Sequence, residues 1–348
     1  MSILIVLVSA ALLMLFAIFT KLSNYSPHNV LVEEVSENVS DTANVHAEQH
    51  FDVQYVDDCN YCCKESTLPF LAGSLLYLRP FEGGFVCGGG SAQISDTIDA
   101  SGDVTSVIKG GSEHPHFKWD FGFRVAAGFE VEDKGWDAGV YWTHFDTKEN
   151  MHVGKGGSLH WNLHFDDLDL IIGRKIQRGS CFSVRPFAGL RGDLIKQRIS
   201  RSLSSTVAIT TPTSVSTSVS TEKDHDKETF IGVGPLLGFE AEFHFTPSWS
   251  FYGSIDAALL YGHFLVKFGD QSAFALSTAS FKANQSFDTC QTADDATLGI
   301  RCRCSLGNAL ELLLQAGLEH HRVFNFNQIG DYGDLSLDGA SFSLGLIF

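Results

Sequence analysis

Trp119-Asp-Phe-Gly-Phe-Arg-Val-Ala-Ala-Gly-Phe-Glu-Val131 is the stretch that decides the fold. Trp119, Phe121, Phe123, Val125, Ala127, Phe129 and Val131 fall on one side of an extended chain. Asp120, Gly122, Arg124, Ala126, Gly128 and Glu130 fall on the other. Period two is the signature of a strand, not of a helix. The alternation is longer than the usual globular strand of about six residues. Glu132-Asp-Lys-Gly135 reads as a tight turn. Trp136 to Phe145 returns, with Trp136, Ala138, Val140 and Trp142 sharing a face.

The same alternation recurs along the chain. In Ala340-Ser-Phe-Ser-Leu-Gly-Leu-Ile-Phe348, Phe342, Leu344, Leu346 and Phe348 oppose Ser341, Ser343 and Gly345. Ile231, Val233, Leu237, Phe239, Ala241, Phe243 and Phe245 oppose Glu240, Glu242 and His244. Leu310, Leu312, Leu314, Ala316 and Leu318 oppose Glu311, Gln315 and Glu319. Leu159, Trp161, Leu163 and Phe165 share one parity, and Leu168, Leu170 and Ile172 the other. That flip predicts a β-bulge at Asp166-Asp167. Three connections are short, at 132–135, 177–181 and 246–248, and each alternates with a long one, at 82–118, 146–158 and 199–228. The Ser, Thr and Val-rich 200–220 stretch is expected to be a long mobile loop.

Strands near the roughly ten residues of a tilted membrane strand, with turns sorted by length to two ends, predict an all-β transmembrane antiparallel β-barrel. Short periplasmic turns and long extracellular loops follow. Nine segments are clear; an even number puts a tenth in the weaker 272–287 region, with eight or twelve as alternatives. Apolar residues would face outer-membrane lipid. Asp120, Arg124, Glu130, Asp137, Glu240, Glu242 and Glu311 become the candidate pore-lining residues, and Phe348, a terminal aromatic, the expected signal to the barrel-assembly machinery.

Composition agrees. The 348 residues include 33 Gly and 28 Phe, and charged residues make up only 19%. A formal net charge of −17 excludes a nucleic-acid partner, which needs a basic face. Ile3 to Thr20 is apolar and small, so residues 1–23 are expected to be a signal peptide or an N-terminal membrane segment. Residues 24–68 read as a flexible, acidic, cysteine-containing leader, and 69–348 as the barrel. Eight cysteines in an exported chain favour disulfides. Zinc is the rival for Cys59-x-x-Cys62 and Cys302-x-Cys304, but neither has a typical second pair or His spacing. Cys59, Cys62 and Cys63 are the crosslinking candidates.

Lys118-Trp-Asp-Phe-Gly-Phe-Arg-Val-Ala-Ala-Gly followed by Gly135-Trp-Asp-Ala-Gly-Val-Tyr-Trp-Thr-His-Phe resembles the Legionella-type major outer-membrane protein family, also found in environmental chlamydiae. His160-Trp-Asn-Leu, Asp167-Leu-Asp-Leu-Ile-Ile-Gly-Arg-Lys, Val184-Arg-Pro-Phe-Ala-Gly-Leu-Arg-Gly and Ile231-Gly-Val-Gly-Pro-Leu-Leu-Gly fit the same pattern, in order. The resemblance implies a porin passing small hydrophilic solutes, without a cofactor, cysteine-rich and disulfide-linked in the envelope of the bacterial outer membrane. The rival expectation is a structural, crosslinked envelope protein or adhesin without an open pore. A homo-oligomer is compatible with both.

The resemblance supplies no catalytic residues. His144, His160, His164, His244, His263, His320 and His321 sit in no recognisable catalytic motif, and no enzyme is expected. His160 and His164 would share a face of a strand but lie roughly 13 Å apart, too far for one metal.

Overall fold

The computed structural model describes residues 67–348, apart from 85–86, 99–103, 114–116, 132–133, 154–156, 180, 212–213, 275–276, 307–309 and 330–331. The expected export segment and leader, with Cys59, Cys62 and Cys63, lie outside the described residues. Every described element is a strand or a connection between strands. They are β1 (Thr67–Glu82), β2 (Cys87–Ile98), β3 (Val104–Glu113), β4 (Asp120–Val131), β5 (Trp136–Val153), β6 (Gly157–Arg174) and β7 (Ile176–Arg178). There follow β8 (Phe182–Thr211), β9 (Ser214–His244), β10 (Trp249–Phe274), β11 (Ser277–Ser305), β12 (Glu311–Asn327) and β13 (Gly333–Ile347).

Ten of these close a ring. Its order is β1, β4, β5, β6, β8, β9, β10, β11, β12, β13 and back to β1, with neighbours antiparallel. Closure is made by β1 on β13, where Ser74 faces Ser343 and the two hydroxyls are 2.7 Å apart. A closed ring leaves no edge strand with unpaired backbone, which a lipid environment requires. The β2–β3 hairpin stands off the ring, touching the far end of β8 through a short parallel pairing. The three-residue β7 pairs with the start of β8.

The short connections gather at one end as expected, but the long ones expected at the other end are mostly strand. Val131 to Trp136, Arg178 to Phe182, His244 to Trp249 and Ser305 to Glu311 are close together in sequence and lie at the end where β1 begins and β13 finishes. Gly135 and Gly179, at φ of 65° and 69°, hold left-handed turns there that favour glycine. At the other end the hairpins project. The tenth strand is β11, overlapping the weak region but running far past it.

Three local expectations change. The 146–158 stretch is not a long loop, because β5 and β6 stay paired through Asp146↔His164 out to Val153↔Gly157. The 200–220 stretch is not a loop: β8 and β9 stay paired from Phe182↔Phe243 out to Thr211↔Ser214. Ser, Thr and Val carry good strand propensity, and low complexity concealed a simple antiparallel continuation. The β-bulge at Asp166-Asp167 is absent, because β5–β6 pairing runs without a break from Trp136↔Arg174 to Val153↔Gly157.

What flips at Asp166 is the apolar face. Leu159, Trp161, Leu163 and Phe165 point into the barrel and are buried, while Leu168 and Ile172 point out. The strand crosses a boundary there. On the turn side of it, the outer wall is apolar and the interior polar. Leu237, Leu298 and Leu318 are 66–67% exposed on that wall. Beyond the boundary the outer wall is polar and the interior apolar. Leu76, Leu78, Phe145, Trp161, Ile195, Ile199, Phe230, Phe264, Phe326 and Leu337 fill it in one cluster. Trp119, Tyr77 and Phe121 stack at the upper edge of the apolar wall, and Trp136 and Trp249 sit exposed at the lower, the aromatic girdles of a membrane barrel.

Candidate functional site

The polar interior below that apolar cluster is the candidate site. Period-two alternation in an antiparallel ring puts one residue of each pair inward at every level. Arg191 on β8 is inward because Leu190 is outward, 52% exposed. Its guanidinium, 3% exposed, meets four carboxylates: Asp169 at 2.7 Å, Asp295 at 2.9 Å, Asp256 at 3.2 Å and Asp167 at 3.5 Å. These come from β6, β10 and β11, so one side chain ties separate arcs of the wall together.

The network continues across the lumen. Asp295 lies 2.9 Å from His321 Nδ1 on β12, and His321 Nε2 lies 3.1 Å from Glu319. Glu319 takes both terminal nitrogens of Arg124 on β4, at 3.1 and 2.9 Å. Arg124 Nε–H then donates to Thr143 on β5 at 2.9 Å. Paired, hydrogen-bonded charges are the form in which such groups persist away from bulk water.

Nearer the turns lies a second layer. Arg185 Nε–H donates to Asp137 at 2.7 Å. Arg301 pairs with Glu240 at 2.8 Å and Glu242 at 3.3 Å, and its guanidinium stacks 4.6 Å over the Tyr252 ring. Lys175 reaches Glu242 at 3.0 Å, and the Ser250 hydroxyl donates to the same carboxyl at 2.7 Å. All of these side chains except Ser250 line a cavity of about 390 Å³.

Five sequence-predicted residues therefore gather in or beside this interior: Arg124, Glu130, Asp137, Glu240 and Glu242 all line the cavity. Two sit at the rims. Asp120 accepts from the Phe121 N–H at one end of β4. Glu311 is exposed at the opposite end, 3.7 Å from Arg303. Phe348 is half exposed on the outer wall, its N–H donating to Pro69 at 2.9 Å.

The sequence reading missed the centre. Arg191, Arg185, Arg301, Asp167, Asp169, Asp256, Asp295 and His321 were not among its pore-lining candidates. Each is a charge on the inward parity of a strand, which is the signal that was there to use. Cys290, Cys302 and Cys304 carry free thiols, so no disulfide joins them within the chain. Cys302 and Cys304 are two apart on one face of β11, with sulfurs 3.5 Å apart; strand spacing holds their Cα atoms near the upper limit for a bridge.

No curated protein matches the chain. Among solved structures, Ail, the attachment invasion locus protein of Yersinia pestis in complex with the heparin analogue sucrose octasulfate, aligns at 11% identity and TM-score 0.26, covering 81% of this chain and 99% of that one. The Escherichia coli outer membrane protease OmpT aligns at 8% identity and TM-score 0.34, covering 82% and 96%. A Pseudomonas aeruginosa FadL homologue aligns at 11% and TM-score 0.26, covering 82% and 90%. The family model described as Legionella pneumophila major outer membrane protein precursor matches residues 61–346. The chain is a bacterial outer-membrane protein and belongs to that family.

Proposed function

We propose that this protein is an envelope barrel whose resting lumen is closed, with its projecting hairpins as the working surface. The observation that carries this is the bridge from Asp169 through Arg191, Asp295, His321 and Glu319 to Arg124, which spans the interior beneath a packed apolar layer. A permanently open diffusion pore needs a continuous wet path. Ten strands enclose little more than the eight that side chains alone can fill. The role is non-catalytic on this reading, with His321 taken up in ion pairs.

The porin reading has its own support. Family membership and the charged cavity at the turn side fit a vestibule for small hydrophilic solutes. On that reading the Arg191 network must part to conduct, and its charges would set the transverse field. Planar-bilayer recording of the purified full chain separates the two. A silent barrel with normal heat-modifiable mobility is expected. Regular stepwise conductance from the wild-type protein would overturn the closed-lumen proposal and establish the porin.

A further inference from the structure

Outside the lumen, β5 and β6 bring together a second cluster. His144 faces Asp166 across the strands, and Asp146 faces His164 one pair further out. The four side chains point outward, just above Trp142 and Leu168, at the level of the aromatic girdle. His144 Nδ1 lies 2.8 Å from Asp166 Oδ1, and His164 Nε2 lies 2.8 Å from Asp166 Oδ2. His164 Nδ1 lies 2.6 Å from Asp146 Oδ1, and His144 Nε2 lies 3.4 Å from Asp146 Oδ2. One ligand atom from each of His144, His164 and Asp166 can be chosen so that all lie within 4.8 Å of one another.

We infer that His144, His164 and Asp166, with Asp146 as fourth donor, form a site for a divalent transition cation of the zinc class on the outer wall of the barrel. The argument is one of donor count. Both nitrogens of each ring lie within 3.4 Å of a carboxylate oxygen. A neutral imidazole has one N–H and one lone pair, so with neutral rings two lone pairs face negative oxygens. Either each ring carries an additional proton, or a cation supplies the missing positive charge. Two imidazoles and two carboxylates are ligands that Zn²⁺ accepts, at bond lengths of about 2.0–2.2 Å.

The surroundings fit a held ligand set. Both carboxylates touch both rings; Asp166 is the buried one, and the Trp142 Nε1–H donates to its Oδ1 at 3.2 Å. Such an outer hydrogen bond fixes a ligand's orientation. The Phe123 ring lies 5.1 Å from the His144 ring and walls that side. Other outward histidines pair singly: His263 with Asp288 at 2.7 Å, and His320 with Asp338. Among the described residues, the β5–β6 set is the group with metal-holding geometry.

The test uses the full chain, refolded in detergent and stripped with a chelator, titrated with Zn²⁺ by calorimetry and with Co²⁺ by visible absorption. Full-length comparison cancels any metal bound by the histidines of the first 66 residues. Wild type is expected to hold one more equivalent of Zn²⁺ than His144→Ala/His164→Ala, and to show a Co²⁺ band that the variant lacks. Asp166→Asn should weaken that site at least about tenfold, whereas His263→Ala should leave it unchanged. Should the double variant lose its heat-modifiable mobility, His164→Gln is read instead, with the same expectation. Equal stoichiometry and affinity in wild type and in the folded variants would overturn the site and leave an ion-paired quartet only.

Discussion

Arg191→Met tests whether the lumen is held shut by charge. The side chain is 3% exposed and lies within 3.5 Å of four carboxylates from β6, β10 and β11. Methionine keeps most of the volume and removes the one positive charge that all four share. The loss is not the sum of four attractions. It is the cost of leaving carboxylates uncompensated in a restricted interior, about 3–5 kcal/mol when one partner of a buried pair is removed. With an urea slope of about 2 kcal/mol/M, the unfolding midpoint in vesicles should fall by roughly 1.5–2.5 M. Asp256→Asn on the same background relieves part of the excess negative charge, so the double variant should recover part of that loss. Non-additivity of this kind is expected for groups sharing one partner. A midpoint within about 0.3 M of wild type, or a double variant weaker than the sum of the singles, would refute the idea that Arg191 is the tie across the barrel.

Two other outcomes follow from the described geometry. Phe348→Ala removes a half-exposed aromatic from the outer wall, less than the roughly 1.5–3 kcal/mol of full burial; refolding in detergent should be near normal, while cells should accumulate unassembled precursor, and normal outer-membrane levels in cells would remove Phe348 as an assembly signal. Glu228 lies above the outward apolar run of β9, which begins at Ile231, and burial pushes its carboxyl up to about 9, against the pull of the Gln328 N–H 3.1 Å away. The folded state thus keeps a proton that the unfolded chain releases near 4.5. Stability should decline as pH rises from about 5 to 9, and Glu228→Gln should flatten that decline without changing the value below pH 4; parallel pH profiles for the two proteins would contradict the assignment.

Alternation along each strand settled a great deal without coordinates. It distinguished inward from outward in Trp119–Val131, Ile231–Phe245 and Ala340–Phe348, because side-chain direction in a strand depends only on parity. Turn spacing located the short-turn end, because antiparallel neighbours are joined by the chain itself, and nine clear segments with an even count pointed to ten strands, with eight and twelve left open. Parity is silent about height. It could not distinguish the apolar lumen at Trp161 from the apolar outer wall at Leu168, and so it read a change of surroundings as a β-bulge. Nor does it say which inward charges meet. Arg191 finds Asp295, and Arg124 finds Glu319, through ring closure and shear, which bring together residues 104 and 195 positions apart. His144 and His164 are twenty apart in sequence and their rings lie 5.4 Å apart only because β5–β6 register sets them on adjacent rungs. Direction was local and legible; contact was a matter of register and closure, which belong to the folded barrel.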